Sequence, residues 1–531
     1  MVHQVVEPVS RIEEHLRIEA GVEGGKVTSA HSSCTMWQGL ERVLVGRDPR
    51  DVWAFTQRIC GVCTTVHACA SVRAVEDALG IEIPPLAQAF RNLLIASQNV
   101  RDHAMHFYQL HSMDWVNVPS ALEADPKRTS ELARSLSPWP NSSAAYFEDL
   151  RARLRRFAPA GRSGLFGNAY WDHPAYRLSP ELNLLIVAHY LEALDWQRHV
   201  VRIQTLMGGP GPHPDLLVGG VPFSVGASPP AAVSTENLAE IGSCVERIHA
   251  FVEQVYVPDL LAVAGSYVEW FSLGAGVGNL LSYGELPEGG ANDASRFFLP
   301  RGAILGRNLS EVLEVDPDDP REVQETQSHA RPASPRWKGN PMEVGPLARM
   351  LVAYARGHAG VKEKVDAVLG RFRVEPDALF STLGRNAARG IEAWLLAEHL
   401  GTLHRRITGL VEAGRTETFQ PVRWDPRSWP ASCHGTGRLE APRGSLVHRA
   451  AIRNQRIERY EILVPSTWNA GATDAAGRPG PFEAALAGTP VHDPREPVEI
   501  LRTIHSFDPC LACACHVVGA RGETLAEVRS R

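Results

Sequence analysis

Strand-like alternation gives way to helical periodicity along this chain. In the first forty residues HLRIEAGV and KVTSAHSS flank an EGG turn, and their interleaved apolar and polar positions predict a β-hairpin. From about Pro84 apolar residues recur at every third or fourth position. PLAQAFRNLLIASQNVRDHAMHFYQLH keeps that spacing for over twenty positions. Comparable runs follow at SPELNLLIVAHYLEALDWQRHVVRIQTLM, at ENLAEIGSCVERIHAFVEQVYVPDLLAVA, and from GPLARMLVAYARGH to AWLLAEHLGTLHRRITGLVEAG. Helices of this length and number predict a large central bundle.

Residues 273–346 are rich in Gly and Pro with short strand-like pieces, and residues 444–464 read as a second hairpin. The expected fold class is therefore mainly α with peripheral β, an α+β protein. Its 531 residues exceed the length at which one compact core usually stops growing, which allows sub-domains or one intertwined body. No internal repeat or free linker divides the chain, so residues 1–531 are expected to form a single large domain.

Composition narrows the function classes. A hydrophobic share of 44% with 21% charged residues is ordinary globular usage. The net charge of −6, with no Lys/Arg run interleaved with aromatics, argues against nucleic acid as a partner. MVHQVVEPVSRIEEHLRIE carries charges where a signal peptide needs an apolar stretch, and no window approaches 18 uncharged apolar residues. The expected location is cytoplasmic, with any membrane association supplied by another subunit.

Nine cysteines are too sparse for a secreted disulfide scaffold. Four of them form two C-x-x-C units at opposite ends of the chain, Cys60 with Cys63 and Cys510 with Cys513. A single unit points to a shared metal centre but also admits a blander reading, structural thiols or half of a zinc site. A local zinc ribbon, however, keeps its pairs within tens of residues, so two units this far apart meet only through the tertiary fold and suit soft transition-metal chemistry. The first unit precedes an amphipathic segment ending at Leu79, whose N-terminus favours anionic sulfur. Cys34, Cys244 and Cys433 are isolated and read as small buried hydrophobes, and Cys69 and Cys515 carry no assigned role. His103, His106 and His111 share one predicted helix and read as packing or network residues.

The motifs R-I-C-G-V-C-T-x-x-H and D-P-C-x-x-C-x-x-H resemble those of nickel-iron hydrogenase large subunits of the uptake type. RIEEHLRIE, GLERVLVGRDPRD, HFYQLHSMDW, GGPGPHP, PRWKGNPMEVGPLARM, EAPRG and VPSTWN extend the resemblance, in order, over essentially the whole chain. It implies four thiolates holding nickel, with two bridging to an iron that bears carbon monoxide and cyanide. By motif position Cys60 and Cys510 would be terminal nickel ligands, and Cys63 and Cys513 the bridges. Pro442, Arg443, Val464, Pro465 and Ser466 would surround the iron's small ligands, and His67 would hydrogen-bond a bridging sulfur. Glu13 would take a proton from Cys510, although this chain has Glu14 where the family has glycine. Arg443 would be suspended over the metals between Asp114 and Asp508. Glu41 and His516 would hold magnesium.

The resemblance also implies partners. No further cysteine motif could hold iron-sulfur clusters, so electrons would leave through a small iron-sulfur subunit, with assembly into a higher oligomer of that heterodimer. Residues 517–531 resemble the propeptide that a maturation endopeptidase removes once nickel-insertion proteins have loaded the site. The expected activity is heterolytic oxidation of dihydrogen, with a texture similar to the oxygen-insensitive, high-affinity subgroup. Two alternatives stand beside it: a non-catalytic hydrogenase-related subunit of a respiratory complex, whose relatives lack the four cysteines, and a zinc-stabilised structural protein.

Overall fold

Pro84 and Pro85 open the first long helix where the apolar periodicity begins, since proline's fixed φ suits the first helical turn. The computed structural model describes residues 2–6, 9, 11–12, 16–34, 39–157, 173–209, 211–226, 232–288, 296–316, 323–328 and 331–510. Helices follow the predicted periodic runs, among them α2 (Pro85–Met105), α3 (Pro180–Trp196), α4 (Thr235–Phe251), α5 (Pro346–Ala355) and α6 (Thr382–Glu412). Ahead of them α1 (Thr64–Leu79) carries the first cysteine pair at its N-terminus, and α7 (Val498–His505) leads into the second. α6 is capped by Ser381, whose Oγ accepts the Gly384 N–H at 2.9 Å.

The predicted N-terminal hairpin is β2 (Leu16–Glu23) with β3 (Lys26–Cys34), and it gains an unforeseen outer strand, β1 (Val2–Val6). The second predicted hairpin is also part of a larger sheet. β4 (Ser432–Ala441), β5 (Gly444–Arg453) and β6 (Arg456–Leu463) form an antiparallel meander. β4 lies directly on α1. A Cβ at Gly437 would fall 1.9 Å from the Ala70 carbonyl, and one at Gly435 would fall 2.2 Å from the Ala78 N. Only glycine permits this approach. Because successive glycines of β4 meet successively earlier turns of α1, β4 runs antiparallel to the helix. Its C-terminal end, Ala441–Arg443, is thereby carried toward Cys63.

Charged groups lock the helices together in the interior. Arg349 of α5 binds Glu392 of α6 through Nε at 2.6 Å and Nη2 at 2.7 Å, and His103 of α2 meets the same carboxylate at 3.0 Å. Burial raises the Glu392 pKa, but Arg349 and then His103 outweigh it and lower the value to about 2. A depressed carboxyl stabilises the fold above its unfolded value and loses that contribution as pH falls through its folded one. We therefore expect the stability difference between the wild type and Glu392→Gln, on the order of 3 kcal/mol, to shrink as pH falls from the ordinary glutamate value of 4.5 toward 2. Chemical denaturation across that window measures it.

Candidate metal centre

Cys60, Cys63 and Cys510 meet in the interior, with their sulfur atoms all within 4.8 Å of one another. Cys60 Sγ and Cys510 Sγ stand 3.5 Å apart. All three residues are at most 4% exposed. The C-x-x-C turn aims backbone donors at its own sulfur, for the N–H groups of Val62 and Cys63 reach Cys60 Sγ at 3.3 and 3.2 Å. Such donors favour the thiolate, as does the N-terminus of α1, which Cys63 caps. Cys510 is held from the other end of the chain, its N–H donating to Ser466 Oγ at 3.0 Å. Cys513, His516 and Glu13 lie outside the described residues, as do Cys515 and the tail 517–531.

Arg443 sits against this trio. Its Nε donates to the Asp508 carbonyl at 3.0 Å, and its Nη2 pairs with the Asp508 carboxylate at 3.0 Å. Burial works against its charge, but the Asp508 carboxylate and then the thiols of Cys510, Cys63 and Cys60 hold its pKa well above the ordinary value. A guanidinium is hard to deprotonate, so Arg443 brings a positive charge to the thiols. Asp508 occupies the left-handed region at φ 57°, and this kink turns the chain from α7 into Cys510. Pro442, Val464, Pro465 and Ser466 are all buried.

Asp114, expected as a carboxylate neighbour of Arg443, has its described bonds elsewhere. Asp114 instead receives the guanidinium of Arg11 on one oxygen, and on the other it receives His505 Nδ1 at 2.6 Å and faces His111 Nδ1 at 3.2 Å. The second carboxylate whose charge acts on Arg443 is Asp102, raised by burial and lowered in turn by Arg101 and Arg443. Asp102 also accepts from Gln98 Nε2 at 3.3 Å and from Arg101, and both neighbours donate to the Val62 carbonyl between the first two cysteines. α2 thus braces the cysteine turn. The one sequence signal for Asp102 is a charged pair, Arg101 and Asp102, inside a long apolar run, where buried charges must be paired.

The atoms of His111, Asp114 and His505 lie within 4.8 Å of one another, a spacing that could hold a cation. Their hydrogen bonds argue otherwise. Trp115 Nε1–H donates to His111 Nε2 at 2.8 Å, which places the His111 proton on Nδ1, facing Asp114. Arg11 already compensates the carboxylate, whose pKa is held well below the usual range: burial opposes this, but Arg11 and then His505 prevail. The cluster is a clamp of ion pair and hydrogen bonds joining Arg11 to α7. Breaking a buried pair of this kind costs about 3–5 kcal/mol. Asp114→Asn should lower the unfolding free energy by that amount in a denaturant titration, more than any effect it has on turnover.

His67 Nδ1 lies 3.1 Å from His448 Nε2, and His448 Nδ1 lies 2.9 Å from Tyr460 Oη. Burial raises the Tyr460 phenol, and the charge of Glu41 adds to the rise, so Glu41 lies near enough to act on this line. His448 lies opposite Gly437 in register, which is why β5 presents it to α1. His448 and Tyr460 went unrecognised in the sequence, having no local motif. Cys69 is buried and its thiol is pushed up to about 11 by that burial, consistent with packing alone, while Cys244 is buried and Cys433 half-buried.

A family model described as nickel-dependent hydrogenase matches residues 38–334 and 332–516. The chain belongs to the nickel-dependent hydrogenase family. It is a hydrogenase catalytic subunit with a nickel-iron centre. It is 45% identical to the uptake hydrogenase large subunit of Bradyrhizobium diazoefficiens, the alignment covering 99% of this chain and 97% of that one. It is 43% identical to the hydrogenase-1 large chain of Escherichia coli, again over 99% and 97%. Among solved structures, a [NiFeSe] hydrogenase variant from Desulfovibrio vulgaris Hildenborough superposes with a TM-score of 0.77 at 30% identity, covering 97% of this chain and 99% of that chain. The reduced, active Ni-Fe-Se hydrogenase from Desulfomicrobium baculatum gives 0.74 at 28% identity, covering 97% and 100%.

The donors of this hydrogenase fit the group. Buried thiols with N–H donors at their sulfur suit soft metals, and an adjacent arginine offsets the excess negative charge of a multi-thiolate site. Among the described residues no helix is long and apolar enough to cross a membrane.

Proposed function

We propose that this large subunit oxidises dihydrogen heterolytically and passes electrons to a small iron-sulfur subunit. The observation that carries this reading is the 3.5 Å approach of Cys60 and Cys510, brought together from the two ends of the chain. Relatives named uptake hydrogenase support the direction. The bound centre supplies a site that accepts electrons from dihydrogen, with Cys513 completing the thiolate set beside Cys60, Cys63 and Cys510.

The chain's own residues prepare that centre. Arg443, fixed by Asp508 and charged at working pH, steadies the negative thiolates. With Pro442, Val464, Pro465 and Ser466 it walls the pocket assigned to iron-bound carbon monoxide and cyanide. His67, whose Nδ1 is engaged by His448, offers Nε2 to a bridging sulfur. Proton removal falls to Glu13, with Cys510 Sγ as the proton's last position before the carboxylate. Glu41 and His516 are the proposed magnesium ligands, and residues 517–531 the segment cut by the endopeptidase after nickel insertion. Residues 1–531 act as one domain, the heterodimer joins into a higher oligomer, and any membrane association comes through a partner subunit.

The test is hydrogen consumption by the co-purified large and small subunits, with dye reduction followed at trace hydrogen and in the presence of oxygen. Uptake that continues under those conditions is expected. A complex loaded with metal yet unable to reduce dye from hydrogen at any pressure contradicts the proposal.

A further inference from the structure

Arg349 sits within PRWKGNPMEVGPLARM, in the second turn of α5, and is fully buried at 0% exposure. Beyond its bidentate bond to Glu392, its Nη1 donates to Glu440 Oε2 at 2.9 Å and to the Ala441 carbonyl at 2.8 Å, and its Nη2 donates to the Pro442 carbonyl at 3.1 Å. Two of these acceptors are the carbonyls of the two residues immediately before Arg443. One guanidinium therefore fixes two successive peptide planes, and with them the direction in which the Arg443 side chain leaves the backbone.

The same corner is closed from beneath. A Cβ at Gly345, which caps α5, would stand 3.0 Å from the Arg443 carbonyl. A Cβ at Gly444, whose φ is +131°, would come within 2.6 Å of the Gly345 N. Glu440 is tied in turn by the Tyr283 N–H at 2.8 Å and by Ser445 Oγ at 2.5 Å. The start of α5 and the 441–444 corner thus form one rigid unit, with Arg349 as its only described cation bonded to the corner's carbonyls.

We propose that Arg349 is a positioning residue of the metal centre: by holding the Ala441 and Pro442 carbonyls it sets where Pro442 and the Arg443 guanidinium stand relative to the metals. This inference rests on the proposed reading of Pro442 and Arg443 as the wall around the iron's small ligands. The residue type follows from the task. Only a planar fork can bridge two carboxylates and two carbonyls at once, and lysine, a point charge, keeps the compensation without the fork.

Arg349→Lys in the large–small subunit complex tests it. Nickel and iron contents should stay near wild type, the infrared stretching bands of the iron-bound carbon monoxide and cyanide should move, and turnover should fall about 10- to 100-fold, as a misplacement of about 1 Å costs. KM for hydrogen should change less than kcat. A metal-loaded variant with unmoved bands and turnover within about twofold of wild type overturns the inference. If the lysine variant does not accumulate, Glu392→Gln, which loosens Arg349 without removing it, should move the same bands by a smaller amount, and unmoved bands there overturn the inference equally. A wild-type complex lacking nickel and these bands would instead refute the functional reading beneath it.

Discussion

Replacing Cys510 with alanine should abolish hydrogen-dependent dye reduction and empty the centre of nickel. Cys510 Sγ stands 3.5 Å from Cys60 Sγ, and among the described residues the other thiols of the site come from the first C-x-x-C unit. Losing one donor removes the only described thiol supplied by the C-terminal segment, and metal binding depends on a complete ligand set. The fold itself should survive, because a buried cysteine-to-alanine change deletes little volume and the Asp114 clamp still ties α7 to the interior. Circular dichroism at wild-type strength, together with nickel absent by elemental analysis, is the expected pair of results. Retained nickel with retained turnover would remove Cys510 from the centre.

Arg443→Lys carries the second large effect. The guanidinium donates to the Asp508 carbonyl and ion-pairs with its carboxylate, both at 3.0 Å, while the charges of three thiols and of Asp102 act on it. An ammonium cannot keep two such contacts in one plane. Loss of a preorganised hydrogen-bond donor at a reacting centre costs about 10²- to 10³-fold in kcat, and that fall is expected here in steady-state hydrogen oxidation with nickel content preserved. Asp102→Asn should produce a smaller fall of the same kind, and Asp114→Asn a loss of stability instead. Comparing the two variants decides which carboxylate serves Arg443.

The helices were legible because each long one carries an apolar stripe at helical spacing, and proline or serine marks where α2 and α6 begin. β4 was not. SCHGTGRLEA lacks alternating apolar residues, since the positions facing α1 must be Gly435 and Gly437 to let the backbones touch, and a glycine reads as a turn in sequence. The cysteines were legible from their spacing and the wide separation of the two units.

The neighbours of the site were harder to place. Asp102 and Asp114 belong to one continuous helical run, but the π-turn over His106–His111 changes its phase, so spacing alone could not say which carboxylate faces Arg443. Arg349, His448 and Tyr460 act through contacts spanning distant segments, and nothing local in their motifs announces the partner.

The most direct test of the account is nickel X-ray absorption with metal quantification on the co-purified complex. It predicts nickel near one per large subunit, with a first coordination sphere of sulfur alone from the protein. Zinc in place of nickel, or nickel bound by nitrogen and oxygen, would contradict it.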